Sequence, residues 1–207
     1  MDSEEKVEAV DPAAGMTEPA WDVALLFPPQ GQWTEAEYLA LNTNHLVEFS
    51  GGVVEVLEMP TNRHQAIVAF LFSKLLAFVS AGRLGTVRFA PLPVRLWPGK
   101  FREPDLVFMA VAHQDRIAEP YWGVPYLVVE VVSPGTRRLD EVRKVKEYAE
   151  AGIPEYWVVD PEREAITIHV LIGNAFEQRV RATIGQVAQS GTLPGFQVAV
   201  DEVFAAR

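Results

Sequence analysis

Short apolar runs of strand length, broken by Gly and Pro, dominate this chain, and two longer stretches shift to the period of a helix. Thr34 to Leu41 predicts a short first helix with Thr34 as its N-cap. Leu46-Val47-Glu48-Phe49 and Val53 to Leu57 predict a hairpin around Ser50-Gly51-Gly52. Arg63 to Ala81 reads as a long helix, apolar on nearly every side in its middle, with Gly82 to end it. Strands follow at Thr86 to Phe89, Leu92 to Leu96, Asp105 to Ala110 and Tyr126 to Val132. A second helix, Leu139 to Ala151, stops at Gly152, with Pro154 just beyond. Glu155 to Asp160 and Ala165 to Leu171 form a hairpin through Pro161-Glu162-Arg163-Glu164, and two weaker strands, Phe176 to Arg181 and Phe196 to Val200, close the chain. Many strands with two main helices predict an α/β fold with a mixed sheet flanked by helices. Tyr126–Val132, the following helix and Glu155–Asp160 have the length of a βαβ crossover.

The chain has 207 residues, 49% of them hydrophobic, enough for one domain with a real core. Residues 1–28 lack periodicity and read as an acidic tail, leaving 29–207 as the folded domain. The absence of cysteine removes disulfides, thiolate metal sites and thiol nucleophiles. No apolar run reaches transmembrane length; the longest, Ala66 to Val79, is interrupted by Ser73 and Lys74. The first residues lack the basic-then-apolar order of a secretory signal, so a cytoplasmic protein without membrane partners is expected. The net charge of −10 argues against broad affinity for nucleic acid. It is unevenly spread, however: Arg137, Arg138, Arg143, Lys144 and Lys146 form a local basic group able to meet a phosphate chain.

The chemistry sits where the pattern is broken. Glu130 lies inside the most apolar strand, Tyr126-Leu127-Val128-Val129-Glu130-Val131-Val132, and a buried carboxylate needs a partner. Asp105 interrupts a second run, Glu103-Pro104-Asp105-Leu106-Val107-Phe108, and the helix after Glu130 carries Asp140, Lys144 and Tyr148. Two carboxylates from neighbouring strands can hold magnesium or manganese, with a strand carbonyl as a further ligand, and a lysine can orient water or stabilise developing charge. Each residue alone has a plainer reading. Glu130 suits a structural pair with an arginine, Asp105 a turn, and Lys144 an ion pair with Asp140 four residues earlier. Leu139, Val142, Val145 and Ala149 form the helix's apolar stripe, and Lys146 lies nearer to it than Lys144. A carboxylate pair also suits a glycosidase. Phosphate-loop and dinucleotide glycine fingerprints and the serine-hydrolase elbow are missing, and His45, His113 and His169 lack zinc-ligand spacing.

Together, Glu103-Pro104-Asp105-Leu106-Val107, then Val129-Glu130-Val131-Val132-Ser133-Pro134, then Asp140, Lys144 and Tyr148, then Glu155-Tyr156-Trp157-Val158-Val159-Asp160-Pro161, resemble the Uma-two family of restriction endonucleases, in the PD-(D/E)XK nuclease superfamily. The resemblance runs from about Trp33 to Phe204. It implies a restriction-endonuclease-like core, with Asp105 and Glu130 as metal ligands and the Val131 carbonyl beside them. It implies Lys144 as the catalytic lysine, since Val132 occupies that residue's usual place two positions after the glutamate. Glu48 resembles an early acidic residue that joins the site, and His64 a histidine near it; alone, His64 is an ordinary helix-terminal residue. Tyr148 fits the family's helix tyrosine or a packing role, and Trp157 and Asp160 read as structural. The expectation is thus an Mg2+- or Mn2+-dependent endonuclease acting on nucleic acid, DNA in particular. The alternative is a non-catalytic DNA-binding or interaction module that kept the fold. A homodimer is expected, with Phe196 to Val200 and Val203-Phe204 as interface.

Overall fold

A computed structural model describes residues 27–207 except Asn42 and Asn44. The acidic tail therefore lies almost wholly outside the described residues. The elements are α1 (Glu35–Leu39), β1 (Val47–Ser50), β2 (Val53–Val56), α2 (Asn62–Gly82), β3 (Gly85–Phe89), β4 (Val94–Trp97), β5 (Lys100–Arg102) and β6 (Leu106–Ala110). Then come a 3-10 segment (Val111–Arg116), β7 (Leu127–Val131), a π-helical turn (Leu139–Arg143) running into α3 (Lys144–Glu150), β8 (Glu155–Asp160), β9 (Ala165–Ile172), β10 (Ala175–Thr183), β11 (Val187–Gln189), β12 (Gln197–Ala199) and α4 (Val200–Ala205). The mixed α/β architecture is the expected one.

The central sheet has six strands in the order β10-β9-β8-β7-β6-β3, and only β7 and β8 are parallel, joined by the α3 crossover. A second sheet, β2-β1-β5-β4, covers one end, and β11 pairs with β12. Strand parity sorts side chains onto the two faces. Leu106, Phe108, Leu127, Val129, Val131, Trp157 and Val159 pack with Ile67, Leu71, Leu75 and Val79 of α2. Val107, Met109, Val128, Val132, Tyr156 and Val158 pack on the other face with Tyr148.

Thr34 caps α1 as expected: Glu37 N donates to its hydroxyl at 3.2 Å, and Thr34 N donates to the Glu37 carboxylate at 2.8 Å. Gly82 does not end α2; it stays helical, and Arg83 takes the left-handed position with φ 51°. By length and composition α2 could cross a bilayer, contrary to the sequence reading, but one side of it is packed in the chain's own core and Lys74 pairs with Glu202 of α4 at 2.9 Å. The expected strand Leu92 to Leu96 starts later and is followed by a turn at Pro98-Gly99 and the separate strand β5. The proposed dimer segment is also corrected. Phe196, Val198, Val200, Val203 and Phe204 are buried in the α2 core, and Val200 begins a helix, so that surface is used within the chain. At the outer edge of β2, the Gln30 amide donates to the Val54 carbonyl (3.0 Å) and accepts from Val54 N (2.9 Å), where a neighbouring strand would otherwise pair.

Candidate active site

Parity explains why Glu130 is inside. On β7 it shares a face with Val128 and Val132, under α3, and is 4% exposed. Asp105 immediately precedes β6, and its Oδ2 accepts Val131 N of the neighbouring strand at 2.7 Å. Thr61 caps α2 and places His64 in its first turn, with Nε2 3.2 Å from Asp105 Oδ2. From the crossover helix, Lys144 Nζ lies 2.8 Å from Glu130 Oε1, 3.1 Å from Asp140 Oδ1 and 3.6 Å from Glu48 Oε1. Asp105, Glu130, Val131, Lys144 and His64 line one narrow crevice of about 40 Å³, with Asp140 beside them. Glu48, fully buried, is outside that lining and stands behind Lys144.

The hydrogen bonds leave a pattern of free oxygens. Glu130 Oε1 accepts from both Lys144 Nζ and Tyr148 Oη (2.6 Å), while its Oε2 takes no hydrogen bond among the described residues. Asp105 Oδ1 is likewise free of them. Asp140 Oδ2 accepts from Thr136 Oγ1 at 2.5 Å. Glu48 is held by Arg102 and accepts Glu103 N at 3.3 Å. Burial, then the negative charges of Asp140, Asp105 and Glu48, push the Glu130 carboxyl above its ordinary range against the pull of Lys144. Burial disfavours the Lys144 ammonium, but Glu130, Glu48 and Asp140 outweigh it and keep the amine charged. Burial also lowers the proton affinity of His64, and Asp105 and the Val131 carbonyl more than restore it.

One ammonium therefore serves several carboxylates, which gives opposite expectations for its two ends. Lys144→Met should cost about 3–5 kcal/mol, because it strands buried negative charge. Glu130→Gln should be within about 1 kcal/mol of the parent or more stable, because it relieves a like-charge cluster. Urea denaturation of both variants in chelator reads the difference, and a large loss for Glu130→Gln would make Glu130 a structural ion-pair residue.

Lys144, with 3% of its side chain exposed, is the lysine at the site, and Lys146 is exposed on the outside of the helix. The apolar-stripe expectation fails here. Val142 is 50% exposed, and the inward face is Asp140, Lys144 and Tyr148, because this helix covers a polar crevice at its start and the core only further along. Asp140 and Tyr148 are thus parts of the site that periodicity undervalued; their spacing of four from Lys144 was the available signal. Arg102, Glu147 and Glu103 were missed. Burial raises the Glu103 carboxyl to about 7, Val47 N opposing and the Glu48 charge adding to it. The basic group is smaller than its sequence suggests: Arg137 pairs with Asp160 and with Glu162 (2.7 Å), and Arg143 with Glu55 and Glu147 (both 3.1 Å). Arg138 and Lys146 have no ion pair among the described residues. Asp160 also accepts from Glu162 N and Arg163 N, a structural role as expected.

No three His, Cys, Asp or Glu side chains converge as a metal cage among the described residues. The site offers two carboxylates, each with one uncommitted oxygen, and a backbone carbonyl. That donor set suits a hard ion that keeps several of its waters, such as magnesium or manganese, better than zinc.

The chain matches no curated protein. Among solved structures it is similar to a protein of Anabaena variabilis described as a putative nuclease belonging to DUF820, at 17% sequence identity and a TM-score of 0.69, covering 84% of this chain and 98% of that one. At that identity the likeness establishes a shared fold. The sequence pattern of the Uma2 family, described as "Putative restriction endonuclease", matches residues 33–201. With nearly all of the described structure inside that match, the chain belongs to the Uma2 family.

Proposed function

We propose that the protein is an Mg2+- or Mn2+-dependent endonuclease that hydrolyses phosphodiester bonds of nucleic acid, DNA in particular. The observation that carries this reading is the crevice in which Asp105 and Glu130 each keep one free carboxylate oxygen beside the charged amine of Lys144. Asp105, Glu130 and the Val131 carbonyl would hold the ion. Bound there, the ion would make water a better nucleophile and offset charge on the phosphate. Lys144, fixed by Glu130 and Asp140, donates to an oxygen of the reacting phosphate or of the water and stabilises the charge that develops there. Tyr148, whose hydroxyl stays protonated through burial and the nearby Glu130 charge, holds the Glu130 carboxylate in one orientation. His64 steadies Asp105, and Glu48, neutralised by Arg102, supports Lys144 from behind.

Asp105→Ala and Glu130→Ala should each lower manganese-dependent cleavage of oligonucleotides by about 10²-fold or more, the scale of losing a group that stabilises the transition state. Cleavage that survives either change, or that persists in chelator, would refute the assignment. DNA and RNA of matched sequence decide the sugar.

Ion binding should itself depend on pH. Glu130 must give up its proton to coordinate, and its carboxyl sits above the ordinary range, so manganese affinity should rise as pH is raised beyond that range, and binding should release protons. Calorimetric titrations in two buffers of different ionisation enthalpy would detect the release. The competing reading, a binding module that retains the fold, draws on Val132 in the usual lysine position and on the two-carboxylate donor set. It predicts no manganese binding at all.

A further inference from the structure

Beside the crevice lies a second cavity of about 210 Å³ with a different chemistry. Its walls are Met59 and Pro60 on one side, Phe89 and Pro91 on the other, and Val68 and Gln65 of α2. It shares Leu46, Leu57, Glu58, Pro60 and Asp105 with the crevice, so the two are one continuous depression. Met59 and Phe89 are 72% and 52% exposed, a large apolar surface to leave open beside a polar site. Phe89 is braced by Phe72, edge to face with ring centroids 4.8 Å apart, and Ala90 N donates to the Asp105 carbonyl at 3.1 Å, which ties this wall to the catalytic strand.

We propose that this cavity takes one unstacked nucleobase of the substrate, next to the phosphate that an ion bound by Asp105 and Glu130 would meet, and that the protein therefore prefers single-stranded or locally unpaired nucleic acid to a continuous duplex. The inference rests on the nuclease reading for where the phosphate sits. The cavity has no lysine or arginine in its described lining and carries Glu58 and Asp105 at its border with the crevice, so it disfavours a phosphate and suits the neutral part of a nucleotide, the base. It is smaller than the roughly 300 Å³ at which drug-sized sites begin, the scale of a single ring system. An aromatic face, a thioether and two proline rings give stacking surface, and the Gln65 amide can hydrogen-bond a base edge. The charge balance points the same way. With a net charge of −10, and with Arg137 and Arg143 already paired, phosphate contacts supply little affinity, and base stacking is the available source. A base inside a continuous duplex cannot enter the cavity without leaving its stack.

Fluorescence anisotropy at low salt in chelator tests this with three labelled probes: oligo(dA), the same backbone without bases, and a blunt duplex. Oligo(dA) should bind at least tenfold more tightly than either of the others. Phe89→Ala should erase that difference, and Phe89→Trp should keep it. Phe89 is half exposed, so Phe89→Ala, which loses the contact with Phe72, should lower the melting temperature by only a few degrees, and both variants should stay folded. Equal binding of the abasic and base-bearing strands, or a base preference that survives Phe89→Ala, would overturn the inference. Failure to bind any probe would also overturn it. So would concentration-dependent self-association lost in Phe89→Ala, which would assign the cavity to a second copy of the chain. Parallel cleavage assays with manganese separate the two readings. A base preference without cleavage leaves the cavity standing and removes the nuclease, and cleavage without base preference does the reverse.

Discussion

Replacing Arg102 by methionine should destabilise the protein by about 3–5 kcal/mol, although Arg102 is not itself a lining residue of the crevice. Its side chain is completely buried. The guanidinium pairs with Glu48, grips both oxygens of Glu147 (Nε 2.8 Å, Nη2 3.0 Å) and reaches Glu55 at 3.3 Å. Methionine fills much the same volume but leaves Glu48 buried with only Lys144 as counter-charge, 3.6 Å away and already shared with Glu130 and Asp140. Glu147 retains Lys100 at 2.7 Å, so the loss falls mainly on Glu48. Arg102→Lys should recover only part of it, because an ammonium cannot grip Glu147 with a fork while also reaching Glu48. Adding Glu48→Gln to Arg102→Met should restore a substantial share, which a double-mutant cycle in urea measures directly. A stability for Arg102→Met within 1 kcal/mol of the parent would mean that Glu48 is neutralised in some other way.

The second large effect lies away from the site. Glu155→Ala should cost about 3 kcal/mol or more, from several hydrogen bonds to a charged acceptor lost together. Glu155 is fully buried and has no ion pair among the described residues. Its Oε1 accepts from Trp157 Nε1 (2.5 Å) and Ser190 Oγ (2.7 Å), and its Oε2 from Gly191 N (2.6 Å) and Thr192 N (2.8 Å). Donors alone thus satisfy the carboxylate and fix the turn before β12 to the central sheet. Glu155→Gln should be nearly as damaging, because its amide nitrogen would face donors. Ser190→Ala should cost less, about 1–3 kcal/mol, because the buried hydroxyl donates to Glu155 and also accepts from Leu193 N (2.8 Å) and Thr192 N (3.2 Å). Thermal unfolding ranks the three. Exchange of the Gly191 and Thr192 amide protons should accelerate most in the two Glu155 variants, and unchanged exchange there would refute the role.

The central sheet was legible because its strands are apolar on both faces and bounded by Gly and Pro, so β6 to β9 fall close to where the residues place them. Strand parity even assigns Glu130 to the helix-covered face. The four-stranded sheet was harder. β5 is three residues long and carries Lys100 and Arg102, which reads as solvent-facing polarity until Glu147 and Glu48 are brought opposite from elsewhere in the chain. The gathering of Asp105, Glu130, Lys144, Glu48 and His64 followed from the family resemblance more than from any spacing. Periodicity alone pointed to Lys146, since it assumes that the inward face of a helix is apolar, and the first turns of this one cover charge. Glu155 was hidden for the same reason: its partners are backbone amides some 35 residues further on, which no local pattern announces.

The Gln30 amide at β2 has a consequence for life in a crowded cell. Val53-Val54-Glu55-Val56 is a short, valine-rich border with backbone groups turned outward, the kind of segment that recruits unfolded neighbours into growing aggregates. Gln30 occupies the donor and the acceptor of Val54, the middle of that border, and Gly31 and Trp33 anchor its segment to the Gly52 carbonyl at 2.8 and 3.1 Å. A single side chain from outside the sheet thus blocks pairing with a further strand at this point, and its removal should lower solubility at high concentration by more than the loss of two exposed hydrogen bonds lowers folding stability.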